Sequence, residues 1–295
     1  MVRNGDGGLD TVARIEQCLE SAVAHATAGD CPPLLARALH YAVFPGGARV
    51  RPQLTLAVAE ACGGGSETVV DHAAAAVELM HCASLVHDDL PCFDDADTRR
   101  GKPSVHALYG EEIAVLVGDA LIVEAFGATA RGCEGRVERL SGLISNLTAA
   151  TGPRTGIVAG QAWESEDVVE TDTYHCAKTG SLFVGAVSAG ALAVGSNPAP
   201  WRPLARSIGH AYQMADDLLD AVGHAKQAGK PVGQDGRNRR PNAVRELGVD
   251  GALRRLRDTV EEATAAIPPC QGAARLKALL AAQAQRLVPA QLQPA

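Results

Sequence analysis

Aromatic residues are scarce in this chain, at 3% of 295 residues. Ala, Leu and Val carry most of an apolar content of 46%, and β-branched runs are few. Ala and Leu are strong helix formers, whereas strands draw on β-branched and aromatic side chains, so the shortage argues against a sheet-based fold. A basic excess is missing too: 34 Asp and Glu against 27 Lys and Arg leave a formal charge of -7. That sign argues against a nucleic-acid footprint, which needs clustered cations. The eight cysteines, at 18, 31, 62, 82, 92, 133, 176 and 270, contain no CxxC pair. A core-rich chain of this length does not depend on an oxidised framework, so reduced thiols and a cytoplasmic setting are expected. Residues 1–8 are polar and show no signal peptide. The longest apolar stretch, residues 182–195, is shorter than the roughly 20 residues that cross a bilayer. No membrane span is therefore expected.

What the sequence does have is helical periodicity almost throughout. Helices are predicted over roughly 9–28, 32–44, 51–62, 67–89, 104–108, 111–131, 135–150, 153–166, 171–195, 201–221, 242–248, 250–266 and 271–286. Gly and Pro punctuate them, as at Pro45-Gly46-Gly47, Gly63-Gly64-Gly65, Gly101-Lys102-Pro103 and Gly229-Lys230-Pro231. No stretch alternates as a strand, and no linker or solenoid repeat divides the chain. The expectation is one all-α domain over residues 1–295, with helices around a central cavity and loose tails at 1–8 and about 287–295.

Two acidic clusters stand out against this apolar background: Asp88-Asp89-Leu-Pro-Cys-Phe-Asp94-Asp95 and Asp216-Asp217-Leu-Leu-Asp220. Carboxylates packed so closely repel one another unless a cation lies between them. Hard divalent ions take oxygen ligands, and Mg²⁺ commonly combines one or two carboxylates with substrate phosphates. Asp216 and Asp220 are four residues apart and share a helix face, with Gln213 one turn earlier. His81 lies two turns before Asp88 on one face. A basic knot, Arg99-Arg100-Gly101-Lys102-Pro103, follows the first cluster. Guanidinium groups suit multidentate contact with phosphate oxygens, although pairing with the adjacent aspartates would also account for them.

In this order the motifs resemble those of the trans-isoprenyl diphosphate synthases, the polyprenyl synthetase family. Asp-Asp-x4-Asp with Arg-Arg-Gly-Lys-Pro and the later Asp-Asp-x-x-Asp carry the likeness. Gly46-Gly47-Ala48-Arg49-Val50-Arg51-Pro52, Gly118-Asp119-Ala120, Gly160-Gln161, Lys178-Thr179-Gly180 and Tyr212-Gln213-Met-Ala-Asp216-Asp217 support it, over roughly residues 35 to 250. The resemblance implies an all-helical, homodimeric isoprenoid-synthase fold with the two Asp motifs facing across a cavity. It implies that Asp88, Asp89, Asp94, Asp216, Asp217 and Asp220 bind Mg²⁺, three ions in all, which grip an allylic diphosphate. Arg99, Lys178 and Lys230 would bind that diphosphate directly. Gly47, Arg51, His81 and Arg100 would hold isopentenyl diphosphate, while Lys178, Thr179 and Gln213 would lie near the allylic carbocation.

Two departures from the family pattern fall near the second substrate. Ala48 replaces the lysine of GGKRxRP, a loss for which Arg49 is one candidate substitute, and Arg240 takes the place of a later lysine. Tail length in this family is limited by the residues four and five before the first aspartate. These are the small Ser84 and Ala83, with Met80 the next floor, which points to a geranylgeranyl (C20) product. The alternatives are a farnesyl (C15) synthase or a weakly active partner subunit of another synthase. A terpene cyclase would dispense with the second Asp motif and with Arg51 and His81.

Overall fold

The computed structural model describes residues 7–44, 46–64, 68–168, 170–222 and 243–288. Three helices lead in: α1 (Gly7–Ala26), α2 (Pro33–Val43) and α3 (Val50–Ala61). Next come the long α4 (Thr68–Asp88), the short α5 (Val105–Tyr109), then α6 (Glu111–Gly132), α7 (Val137–Thr151) and α8 (Ile157–Ala162). The second half holds α9 (Thr171–His175), α10 (Ser181–Ala193), α11 (Arg202–Val222), α12 (Ala243–Ala265) and α13 (Ala273–Leu287). The predicted break between 248 and 250 is real: Gly248 takes φ 68° inside α12, where the chain kinks.

Among the described residues, the one departure toward sheet is a hairpin of two-residue strands, β1 (Thr98–Arg99) against β2 (Lys102–Pro103), antiparallel. Sequence reading gave this segment no regular structure, because two residues are too few for alternation to register. Its turn carries Arg100 and Gly101, both at positive φ.

Helix α4 forms the axis of the fold. It packs against α1, α3, α6 and α10 and is buried on nearly every side. A helix that is apolar all round belongs in an interior, and the run Ala73-Ala74-Ala75-Ala76 keeps it slim enough to be surrounded. Helix α11 lies against α10 and α12, with its own apolar cluster of Ala211, Ala215 and Leu218 meeting Ala252 and Leu256.

The expectation that no segment reaches spanning length is corrected here. By length and composition alone, three stretches among the described residues are long and apolar enough to cross a membrane: Thr68–Asp88, Glu111–Gly132 and Thr171–Ala193. The first and third bury 72% of their apolar window within the protein and the second 44%. The sequence estimate fell short because it counted uninterrupted apolar runs. Isolated polar residues such as Glu78 on α4 and Glu124 on α6 are themselves buried.

Candidate active site

The end of α4 delivers the first aspartate cluster. Past Asp88 the chain closes a tight loop in which the Asp94 amide donates to the Asp88 carbonyl at 3.0 Å and the Ala96 amide to that of Asp89 at 3.1 Å. These bonds bring Asp94 back beside the helix end despite the four-residue spacer. The β1–β2 hairpin then returns Arg99 over the same cluster. Arg99 Nε donates to Asp89 Oδ1 at 2.9 Å and to Oδ2 at 3.2 Å, and its Nη2 also pairs with Asp89. Burial pushes the Asp89 carboxyl up despite these bonds.

The opposite wall is a turn of π-helix at Cys176–Gly180, between α9 and α10. Such turns recur at functional sites. Here it carries Lys178 and Thr179. Lys178 Nζ donates to Asp88 Oδ1 at 3.1 Å and also pairs with Glu164. Glu164 in turn accepts from Tyr174 Oη at 2.7 Å and Gln161 Nε2 at 3.0 Å. Gly160 is small because α8 crosses this turn closely; a Cβ there would overlap the Lys178 backbone.

Helix α11 completes the wall. Gln213 Oε1 accepts from Thr179 Oγ1 at 2.5 Å, and its Nε2 donates to Asp217 Oδ1 at 2.8 Å. Asp217 is fully buried and Asp216 exposed. Asp88, Asp94 and Asp216 line one cavity of about 230 Å³, together with Arg51, His81, Arg99, Lys178, Thr179 and Gln213. The structure thus brings together residues from both motifs and from the segments between them. The backbone of Asp220 lies on α11, its side chain is outside the described set, and Lys230 and Arg240 lie outside the described residues.

One corner of the cavity is cationic. The Arg51 guanidinium lies 4.3 Å from the Phe183 ring centroid, and its Nε is buried without a hydrogen-bond partner. Burial lowers the Arg51 pKa, and nearby Arg100 adds to the effect. His81 is driven well below the usual imidazole value by burial, then by Arg51, Arg100 and Arg99. Arg100 packs over Gly47, where a Cβ would meet its Cζ at 2.7 Å. An orphaned buried donor among several cations suits a polyanion. Arg49 is not part of this corner. It points into the core, where Nη1 donates to Glu78 at 2.9 Å and Nε to Glu16 at 2.7 Å, so it does not replace the lysine missing at Ala48.

A second cavity, of about 560 Å³, opens beside the first and shares Ser84, Asp88, Ile157 and Gln161 with it. Its walls are apolar. Met80 and Ala83 line it as the spacing on α4 predicts, but so do Ile122 and Phe126 of α6 and Thr148 and Thr151 of α7. Sequence reading missed this second set. Phe126, one of only four phenylalanines, was the available signal. Glu164 was missed as well, three residues after Gln161. His87 Nε2 lies 3.3 Å from the Val115 carbonyl on α6.

A profile of the polyprenyl synthetase family matches residues 32–269. The chain belongs to the polyprenyl synthetase family. It is 51% identical over 279 residues to a geranylgeranyl diphosphate synthase of Cereibacter sphaeroides, covering 95% of this chain and 97% of that one. It is 50% identical over 275 residues to a geranylgeranyl diphosphate synthase of Rhodobacter capsulatus, covering 93% and 95%. Among solved structures, a Helicobacter pylori geranyltransferase complexed with magnesium and isoprenyl diphosphate superposes with a TM-score of 0.80, at 25% identity, over 97% of this chain and 99% of that one. The polyprenyl synthetase assignment agrees with the helical architecture and with the order of motifs around the cavity.

Proposed function

We propose that this polyprenyl synthetase is a Mg²⁺-dependent short-chain prenyltransferase that joins isopentenyl diphosphate head-to-tail to allylic diphosphates and ends at geranylgeranyl diphosphate. The observation that carries the reading is the pairing of a polar, two-motif cavity with an adjoining apolar one. A diphosphate head and a growing hydrocarbon tail need those two environments side by side. The relatives at about half identity bear the same product in their names.

The donor set fits a hard cation: Asp88, Asp94 and Asp216 offer carboxylate oxygens to one cavity. With Asp89, Asp217 and Asp220 these residues would hold three Mg²⁺ ions, which supply Lewis-acid stabilisation of the leaving diphosphate. Arg99, Lys178 and Lys230 meet the negative charge that develops as the allylic C–O bond breaks. Thr179 and Gln213 present oxygen dipoles to the allylic cation, and the hydrogen bond between them fixes their orientation. Gly47, Arg51, His81 and Arg100, with Arg240, hold isopentenyl diphosphate so that its double bond attacks that cation. The proton lost in the last step goes to the released diphosphate. The apolar cavity keeps water from the cation.

Residues 1–295 form one domain in this reading and work as a homodimer. The exposed Val115, Leu116 and Val123 of α6 suit burial against a second copy. Eight free cysteines fit a reducing cytoplasm. Magnesium-dependent turnover by the isolated protein, abolished by a chelator, tests the reading; an isolated protein without turnover would instead be a partner subunit.

A further inference from the structure

Beside the π-turn, outside the cavity that Asp88, Asp94 and Asp216 line, three side chains of different chemistry converge. Asp172 of α9 and Cys176 of the π-turn are four residues apart and share a face. His210 comes across from α11. Its Nε2 lies 3.6 Å from Cys176 Sγ, and its Nδ1 lies 3.5 Å from Asp172 Oδ1. One ligand atom from each residue can be chosen so that all three lie within 4.8 Å of one another.

We propose that Asp172, Cys176 and His210 form a binding site for a divalent metal of borderline softness, of the Zn²⁺ class, separate from the Mg²⁺ cluster. The ligand chemistry selects that class. Thiolate and imidazole suit Zn²⁺ and are poor partners for Mg²⁺. The spacing agrees with it. With Zn–S of about 2.3 Å and Zn–N of about 2.0–2.1 Å, a tetrahedral site puts sulfur and nitrogen roughly 3.5 Å apart. The observed separation is 3.6 Å. The rival arrangement is a hydrogen-bond chain, with Asp172 on Nδ1 and Cys176 on Nε2 of the same ring, and it would give no sulfur-to-metal band. Charge also closes, since a thiolate and a carboxylate neutralise a divalent ion beside a neutral imidazole.

Access is open. Two surface cavities, of about 660 and 740 Å³, share Asp172 and His210, and the second also reaches Cys176. A water from either would fill the fourth position. The site joins the same two elements that Thr179 and Gln213 join on the catalytic side, so the metal would pin the π-turn to α11 from behind.

The test is a Co²⁺ titration of the purified full chain in excess Mg²⁺, which covers the aspartate motifs. One equivalent should give tetrahedral visible bands and a sulfur-to-cobalt charge-transfer band, both erased by Zn²⁺. Cys176→Ser should lose the charge-transfer band, and His210→Ala and Asp172→Asn should each bind at least about tenfold more weakly. Cys92→Ser, at an exposed cysteine elsewhere, should leave it intact. Asp172 and His210 are exposed enough for their variants to fold, so they carry the test if the cysteine variant does not. No thiolate band in the wild type, a band that survives Cys176→Ser, or full affinity in His210→Ala overturns the proposal.

Discussion

The Arg51 guanidinium stacks 4.3 Å from the centre of the Phe183 ring, which joins the cationic corner of the cavity to the core of α10. The aromatic face holds the charge in place while its Nε remains without a protein acceptor. Arg51→Ala should therefore weaken isopentenyl diphosphate selectively. A charge-assisted bond of about 1.5–3 kcal/mol corresponds to a loss of roughly 10- to 160-fold in kcat/KM. Steady-state kinetics should show the loss in the KM for isopentenyl diphosphate, with the KM for the allylic substrate little changed. Arg51→Lys should recover only part of it, because an ammonium lacks the planar face that stacks.

We propose that product length is set from two helices. Ala83 of α4 is buried in the wall of the apolar cavity, and Phe126 of α6 lines the same space. Ala83→Phe should fill the channel and stop growth at C15. Phe126→Ala should remove a floor and yield products beyond C20. Chromatography of the dephosphorylated products reads both. Unchanged C20 from Phe126→Ala would place the floor elsewhere.

Arg49 should answer to stability and not to catalysis. Its side chain is fully buried between Glu78 and Glu16. Breaking a buried pair leaves an uncompensated charge and typically costs about 3–5 kcal/mol. Arg49→Ala should lower the melting temperature sharply, whereas Ala48→Lys, at an exposed position, should leave it near the wild-type value.

His81 sets a pH dependence whose sign follows from its surroundings. Its pKa in the folded protein lies well below the unfolded value of 6.5. Below 6.5 the unfolded chain therefore binds more protons, and the folded state loses stability as the pH falls toward the folded pKa. His81→Gln should flatten the decline of melting temperature over that acid range.

The aspartate motifs were legible in the sequence because each is a short local run, and the structure brings Asp88, Asp94 and Asp216 to one cavity, as the family resemblance implied. Helix positions were legible for the same reason. What was not legible depends on contacts between distant segments. The π-turn at Cys176–Gly180 exists where α8 crosses Lys178 at Gly160, and nothing in the turn's own residues breaks helical periodicity. The burial of Arg49 depends on Glu16 and Glu78, each about 30 residues away. Phe126 looked like one more apolar residue of α6 until α4 and α7 placed it in the channel.

The most direct measurement is the chain length made by the purified protein from isopentenyl and farnesyl diphosphates with Mg²⁺. Geranylgeranyl diphosphate, C20, should be the main product, with none formed after chelation. Failure to extend the C15 primer would contradict the proposed function.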